Sequence, residues 1–231
     1  MTPSALIFDV DGTLAETEEA HRAAFNRTFD EAGLNWHWDR DTYRRLLKVT
    51  GGKERMRAYA QDSGTALPDA QIVTLHAMKT AAYGDLLAEG ALALRPGVAA
   101  LIDSAHEAGL KIAVATTTSP ENVEALTRAC WGKPAGMVFD AIAAGDMVPA
   151  KKPAPDIYHL ALSQLDLPAD RAIAFEDSAN GLKSARKAGL RVVVTPGIYT
   201  AHEDHAAADW LLPSLAPIHV PDTLRELLPA G

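Results

Sequence analysis

The chain has 231 residues, 48% hydrophobic and 23% charged, with 30 Asp and Glu against 22 Lys and Arg for a net charge of −8. That length buries a full core and holds one large domain or two small ones. The acidic balance argues against nucleic acid as a partner, since such binding rests on neutralising phosphates with basic side chains; a small anionic substrate needs only a few local cations.

Ala5-Leu6-Ile7-Phe8 is a short apolar run ended by a turn, which predicts a buried parallel strand. From Ala15 to about Gly90 strand character disappears. Phe25, Phe29 and Ala32 recur at helical spacing with Gly33 able to end the helix, Thr50-Gly51-Gly52 is a flexible break, and Pro68 to about Glu89 is helical again. Residues 16–90 therefore read as an all-helical insertion between residues 1–15 and residues 91–231. Beyond it, Pro96 opens a helix with Val98, Leu101, Ile102 and Ala105 on one face and Gly109 at its close. Ile112-Ala113-Val114-Ala115 is a strand, and Ser119-Pro120 starts the next helix. Ala172-Ile173-Ala174-Phe175 and Val192-Val193-Val194 are two more buried strands around a helix from Ser178 to Gly189, and Trp210-Leu211-Leu212 is a short last one. Strands alternating with helices predict an α/β fold with a parallel, doubly wound sheet. The one cysteine, Cys130, permits no disulfide within the chain, lies in no nucleophile motif and reads as a structural thiol in a reducing compartment. No uncharged apolar run reaches the roughly 18 residues of a membrane span. The N-terminus lacks the layout of a signal peptide, so a cytoplasmic protein with no membrane partner is expected.

Four short motifs stand at strand ends. Asp9-Val10-Asp11-Gly12-Thr13 places two carboxylates at the end of the first strand. Close carboxylates repel, and a divalent cation would remove that cost; an ordinary Asp-Gly turn is the alternative. Thr116-Thr117-Thr118-Ser119 offers hydroxyls and backbone N–H groups ahead of a helix N-terminus, which suits an anion or simply starts a helix. Lys151-Lys152-Pro153 offers a point charge for a phosphoryl group, with Pro153 able to start a helix, or is a surface pair. Glu176-Asp177 completes a metal site or caps the helix that follows. Strand ends of one sheet converge on one crevice. Together the four motifs supply what phosphoryl transfer through an aspartyl-phosphate requires: a carboxylate nucleophile, a second carboxylate, a hydroxyl, a cation and a metal ligand set.

The run D-x-D-G-T, then a Thr after a second strand, then K-K-P-x-P-D and E-D-S-x-x-G, resembles the haloacid dehalogenase superfamily over nearly the whole chain. The helical insertion resembles the subgroup with a four-helix cap, which holds β-phosphoglucomutase and the CbbY-type sugar phosphatases. Phe8 to Glu18 and Thr50-Gly51-Gly52-Lys53-Glu54-Arg55 are most similar to the latter. The resemblance implies a Rossmann-like core with a helical cap and a Mg²⁺-dependent phosphatase. The implied substrate is a small sugar bisphosphate, xylulose-1,5-bisphosphate, a Rubisco inhibitor arising in the Calvin cycle.

By the same resemblance Asp9 is the nucleophile, and Asp11 is the acid that protonates the leaving oxygen and the base that activates water, with a pKa nearer neutrality than that of a free Asp. Thr116 and Lys152 hold the phosphoryl oxygens beside the backbone N–H groups of Asp11 and Thr117. The metal set is Asp9, Asp11, Glu176 and Asp177. Substrate contacts fall to Glu18, His21, Thr50, Gly51, Gly52, Lys53, Arg55, Lys79, Thr117 and Thr118, with Lys53 and Arg55 offering cations to a second phosphate. A phosphomutase shares these motifs and His21, and differs in the acceptor of the phosphoryl group. A non-catalytic sugar-phosphate sensor is the remote alternative, and a haloalkanoic acid dehalogenase would need neither Asp11 nor a metal. With no coiled-coil heptads, and a cap that must open, a monomer is expected.

Overall fold

The structure, a computed structural model, describes residues 2–90 and 92–229. Six strands lie parallel in one sheet: β1 (Ala5–Phe8), β2 (Lys111–Thr116), β3 (Ala141–Ala144), β4 (Ala172–Glu176), β5 (Arg191–Val194) and β6 (Trp210–Leu211). Their spatial order is β3-β2-β1-β4-β5-β6. The chain moves outward from β1 on one side, then returns across it to β4, so the crevice at the carboxyl end of β1 is the switch point of the sheet. Four helices intervene between β1 and the rest: α1 (Glu18–Glu31), α2 (Arg40–Leu46), α3 (Gly52–Asp62) and α4 (Asp69–Ala88). Around the sheet lie α5 (Val98–Glu107), α6 (Pro120–Trp131), α7 (Asp156–Leu165), α8 (Ala179–Lys187) and the short α9 (Asp222–Arg225).

Side chains along a strand alternate between faces, and here the two faces differ in size. Leu6, Phe8, Val114, Ile173 and Phe175 form one buried cluster with α5 and α6, where the Phe8 and Phe175 rings stack at 4.5 Å. Ala5, Ile7, Ala113, Ala115, Ala172 and Ala174 form the other with α7 and α8. A face of methyl groups lets those two helices approach the sheet closely. A third cluster, Phe25, Phe29, Trp36, Trp38, Tyr43, Met56 and Ile72, belongs to α1–α4 and the loop between α1 and α2. Asn26 pins that loop by donating to the Trp38 carbonyl at 2.9 Å and accepting from its N–H at 2.7 Å.

Two expectations need correction, and one strand has no signal in the sequence. β3 was not foreseen, because Ala141-Ile142-Ala143-Ala144 carries one branched residue and little strand preference. β6 ends at Leu211, not Leu212. Pro153 starts no helix: the Lys152–Pro153 peptide is cis, and α7 begins at Asp156 after Pro155.

The two crossings between α1–α4 and the sheet lie side by side. Ala15 bridges Leu94, and the Arg95 N–H donates to the Leu14 carbonyl at 2.8 Å. Just beyond, Gly97 precedes α5 with φ +89°, and a Cβ there would lie 2.0 Å from the Leu215 carbonyl oxygen. Gly97→Ala is expected to cost about 1–3 kcal/mol through backbone strain alone, with the contact adding to it. Urea unfolding measures this, and an unchanged midpoint would mean that the turn relaxes.

Candidate active site

The four motifs meet at the switch point. Asp9 continues β1, its N–H donating to the Phe175 carbonyl at 2.9 Å. Gly12 turns the chain at φ +78°, and a Cβ on it would fall 2.3 Å from Asp177 Oδ2, so the two acidic motifs touch only because residue 12 has no side chain. Thr116 and Glu176 are the last residues of β2 and β4. Lys152 arrives from the loop before α7 and is buried.

Lys152 Nζ donates to Asp9 Oδ1 and to Glu176 Oε1, each at 2.6 Å. The Tyr158 hydroxyl, on α7, donates to the same Glu176 oxygen at 2.6 Å. Asp177 Oδ2 accepts from Thr200 Oγ1 at 2.9 Å. Burial would lower the Lys152 pKa, but Asp9 and Glu176 outweigh it and raise it, so the ammonium stays charged. Burial pushes Asp9 up to about 7, opposed by Lys152 and reinforced by Glu176 and Asp11. Burial, then Asp9 and Glu176, pushes Asp177 well above the usual carboxylate range.

Carboxylate oxygens of Asp9, Glu176 and Asp177 lie within 4.8 Å of one another, all three residues buried. One lysine faces three carboxylates. That surplus of hard, negative oxygen donors fits a cation such as Mg²⁺. Asp11, expected in the metal set, is outside this group.

The Asp11 side chain turns toward α1 instead. Its Oδ1 accepts from Thr17 Oγ1 at 2.6 Å and lies 2.9 Å from His21 Nε2, while Lys79 Nζ stands 2.6 Å from His21 Nδ1. A carboxylate only accepts, so with Asp11 ionised the imidazole proton sits on Nε2, aimed at Asp11, and Nδ1 accepts from Lys79. Burial and Lys79 push the His21 pKa down, consistent with a neutral ring, which stacks on Tyr83 at 4.0 Å. Burial, opposed by Asp11 and reinforced by Arg55, pushes Lys79 down to about 7. The expectation for Asp11 is not met. Burial would raise its pKa, but His21, Thr17 and Lys79 outweigh that and hold it below the usual carboxylate range. Asp9, not Asp11, is the carboxyl near neutrality.

A cavity of about 100 Å³ is lined by Asp9, Asp11, Glu18, His21, Thr50, Gly51, Gly52, Arg55, Lys79, Thr116, Thr117, Thr118, Lys152 and Asp177. Glu176 lies behind it, bonded to Lys152 and Tyr158. Arg55 sits over the Tyr43 ring at 5.2 Å, and the Tyr43 hydroxyl donates to Glu18 at 2.6 Å. Thr50 Oγ1 donates to the Lys152 carbonyl at 2.5 Å, joining α1–α4 to the sheet side.

Lys53 stands apart from this cavity. It pairs with Asp146, which Lys151 also holds at 2.7 Å. Residues 53 and 55 are roughly 200° apart around α3, so only one of them faces the cavity.

Sequence reasoning missed several members. Thr17 precedes α1 but gives its hydroxyl to Asp11 rather than capping the helix. His76 lines the cavity one turn before Lys79 on α4, a spacing that would have marked it. Asn122 Oδ1 and Ser119 Oγ are buried without a partner beside the cavity, as polar groups that meet a polar ligand would be. Tyr158 and Thr200 act from segments that carry no motif.

The sequence profile of the haloacid dehalogenase-like hydrolases matches residues 3–189. Protein CbbY of Cereibacter sphaeroides is 57% identical over 214 residues, 93% of each chain. A crystal structure of a CbbY variant from Rhodobacter sphaeroides in complex with xylulose-1,5-bisphosphate superposes with a TM-score of 0.91 at 56% identity, covering 94% of this chain and 96% of that one. β-Phosphoglucomutase from Clostridium difficile shares the fold, with a TM-score of 0.80 at 19% identity over 97% of this chain and 96% of that one. On these grounds the chain belongs to the haloacid dehalogenase-like hydrolases, within them to the CbbY proteins, and is a phosphatase.

Proposed function

We propose that the substrate is xylulose-1,5-bisphosphate, hydrolysed to xylulose 5-phosphate and phosphate. The observation that carries this reading is the relative of 56% identity holding that sugar, together with Arg55 in the same cavity as Lys152. Arg55 comes from α3 and Lys152 from the loop before α7, and cations from two separate segments suit a substrate with a phosphate at each end. The cavity is smaller than the roughly 300–1,000 Å³ common for ligand sites. We read α1–α4 as a cap in its closed position, which must swing away for the sugar to enter.

Lys152 engages Asp9 Oδ1, which leaves Oδ2 for attack on phosphorus. The bond from phosphorus to the sugar oxygen breaks, that oxygen takes a proton, and the phosphoryl group rests on Asp9. Asp11, as the carboxylate its partners favour, then takes a proton from the water that attacks phosphorus; the bond from phosphorus to Asp9 breaks, releasing phosphate and restoring the Asp9 carboxylate. The proton for the leaving oxygen has its source in the chain Lys79–His21–Asp11, where His21 Nε2–H points at Asp11. Thr116 and Lys152 steady the transferring oxygens. Asp9, Glu176 and Asp177 would hold Mg²⁺, whose charge offsets that of the carboxylate facing an anionic phosphate.

A phosphomutase is the second reading, favoured by the His21–Asp11 contact, which serves a sugar hydroxyl as readily as water. Phosphate release from a panel of sugar mono- and bisphosphates, with Mg²⁺ and with EDTA, separates the two. Mg²⁺-dependent release strongest for xylulose-1,5-bisphosphate is expected. Interconversion of a hexose 1-phosphate and 6-phosphate without release would move the chain to the mutases.

Asp9→Asn is expected to lower kcat by at least about 10³-fold, since no phosphoryl-enzyme forms; substantial turnover would remove Asp9 as nucleophile. Arg55→Ala should raise KM about tenfold more for bisphosphates than for monophosphates, the equivalent of losing one charged hydrogen bond of about 1.5 kcal/mol or more. Lys53→Ala should leave that ratio unchanged, because its ammonium is committed to Asp146. Steady-state kinetics on both variants checks the pair, and equal ratios for Arg55→Ala and the unaltered protein would exclude Arg55 from the distal end.

A further inference from the structure

Arg95 bonds the segments on either side of Asp177. Its side chain is 10% exposed. Nη1 donates to the carbonyl of Gly12 and, at 2.6 Å, to that of Thr195. Nη2 donates to the carbonyl of Pro196 at 2.8 Å, and Nε lies 3.3 Å from Glu16 Oε1. The other Glu16 oxygen accepts from the Ile198 N–H at 3.3 Å. One guanidinium thus ties three segments: the turn after Asp9 and Asp11, the second crossing at residues 94–95, and the loop after β5.

That loop reaches the metal cluster directly. The Thr195 N–H donates to the Glu176 carbonyl at 2.9 Å. The Gly197 N–H donates to Thr200 Oγ1 at 2.8 Å, and Thr200 Oγ1 donates to Asp177 Oδ2 at 2.9 Å. On the other side, Gly12 packs against the same Asp177 oxygen. Arg95 therefore grips both walls between which Asp177 stands. Three backbone carbonyls and a carboxylate converge on it, a pattern that a planar fork of five donors satisfies and a single ammonium does not.

We propose that Arg95 is a positioning residue for the metal: from the hinge between the cap helices and the sheet it fixes the loop that aims Asp177, and so sets the affinity of the site for Mg²⁺. This rests on the reading of Asp9, Glu176 and Asp177 as the metal site. Residues that orient metal ligands typically contribute 10–100-fold in metal affinity.

The test is Mg²⁺ binding to the substrate-free protein by calorimetry, for the unaltered chain, Arg95→Lys, Thr200→Val and the double variant, with kcat and KM at saturating Mg²⁺. Arg95→Lys is expected to raise the Mg²⁺ Kd at least tenfold while KM for the sugar phosphate stays within twofold. Thr200→Val should also raise the Mg²⁺ Kd, and the double variant should bind Mg²⁺ no worse than the weaker-binding single one, because both act through one path. If Arg95→Lys does not fold, Glu16→Gln, which weakens the ion pair on the same guanidinium at a side chain 32% exposed, carries the test, and an unchanged Mg²⁺ Kd for it would overturn the proposal. An unaltered chain that binds Mg²⁺ with folded variants that bind it equally well would overturn the proposal and leave the metal reading standing. An unaltered chain that takes up no Mg²⁺ overturns both.

Discussion

The site is organised around one shared cation. Lys152 bonds Asp9 and Glu176 at once, in a place where either carboxylate alone would be costly to bury. β1 and β4 bring the two acids together, and the ammonium that neutralises them comes from the loop before α7, distant in sequence. Even then one positive charge does not balance three negative ones, and burial together with that deficit raises the pKa values of Asp9 and Asp177. The fold holds these groups against their mutual repulsion, and that same imbalance makes the site receptive to a divalent cation.

Asp11 shows how the second carboxylate is separated from the first. It is two residues from Asp9, yet Gly12 and the turn carry it out of the acidic cluster and into the company of Thr17, His21 and Lys79. These partners come from α1 and α4, not from the sheet. Its protonation therefore depends on where those helices stand, whereas that of Asp9 depends on the sheet. Two acids of one dipeptide-spaced motif thus answer to two different parts of the molecule, which is what separate duties in one reaction call for.

Much of this was legible in the order of residues. The apolar runs ending in Phe8, Ala115 and Phe175 marked strands, and the acids and hydroxyls that follow them fell where an α/β sheet puts its chemistry. β3 was not legible, because Ala141–Ala144 is stabilised by its neighbour β2 and not by its own preference. The direction of a side chain on a helix was not legible either: Lys53 and Arg55 look equivalent in sequence, and only the rotation of α3 sends one to Asp146 and the other to the cavity. Nor could spacing reveal Tyr158 or Thr200, each of which reaches an acid of the site through a single bond from a segment that closes on it in space. The misplaced pKa of Asp11 has the same origin, since His21 and Lys79 lie on two different helices.

The alanine face of the sheet bears on how the molecule tolerates change. Ala113, Ala115, Ala172 and Ala174 form the floor on which α7 and α8 rest, and α7 brings Tyr158 while the loop before it brings Lys152. The thickness of that floor is a gauge: it sets how far the ammonium stands from the nucleophile. A buried methylene added at one of these positions would overfill a packed interior and be transmitted through the helix as a displacement at Lys152. Positions far from any substrate thereby bear on catalysis as well as on stability.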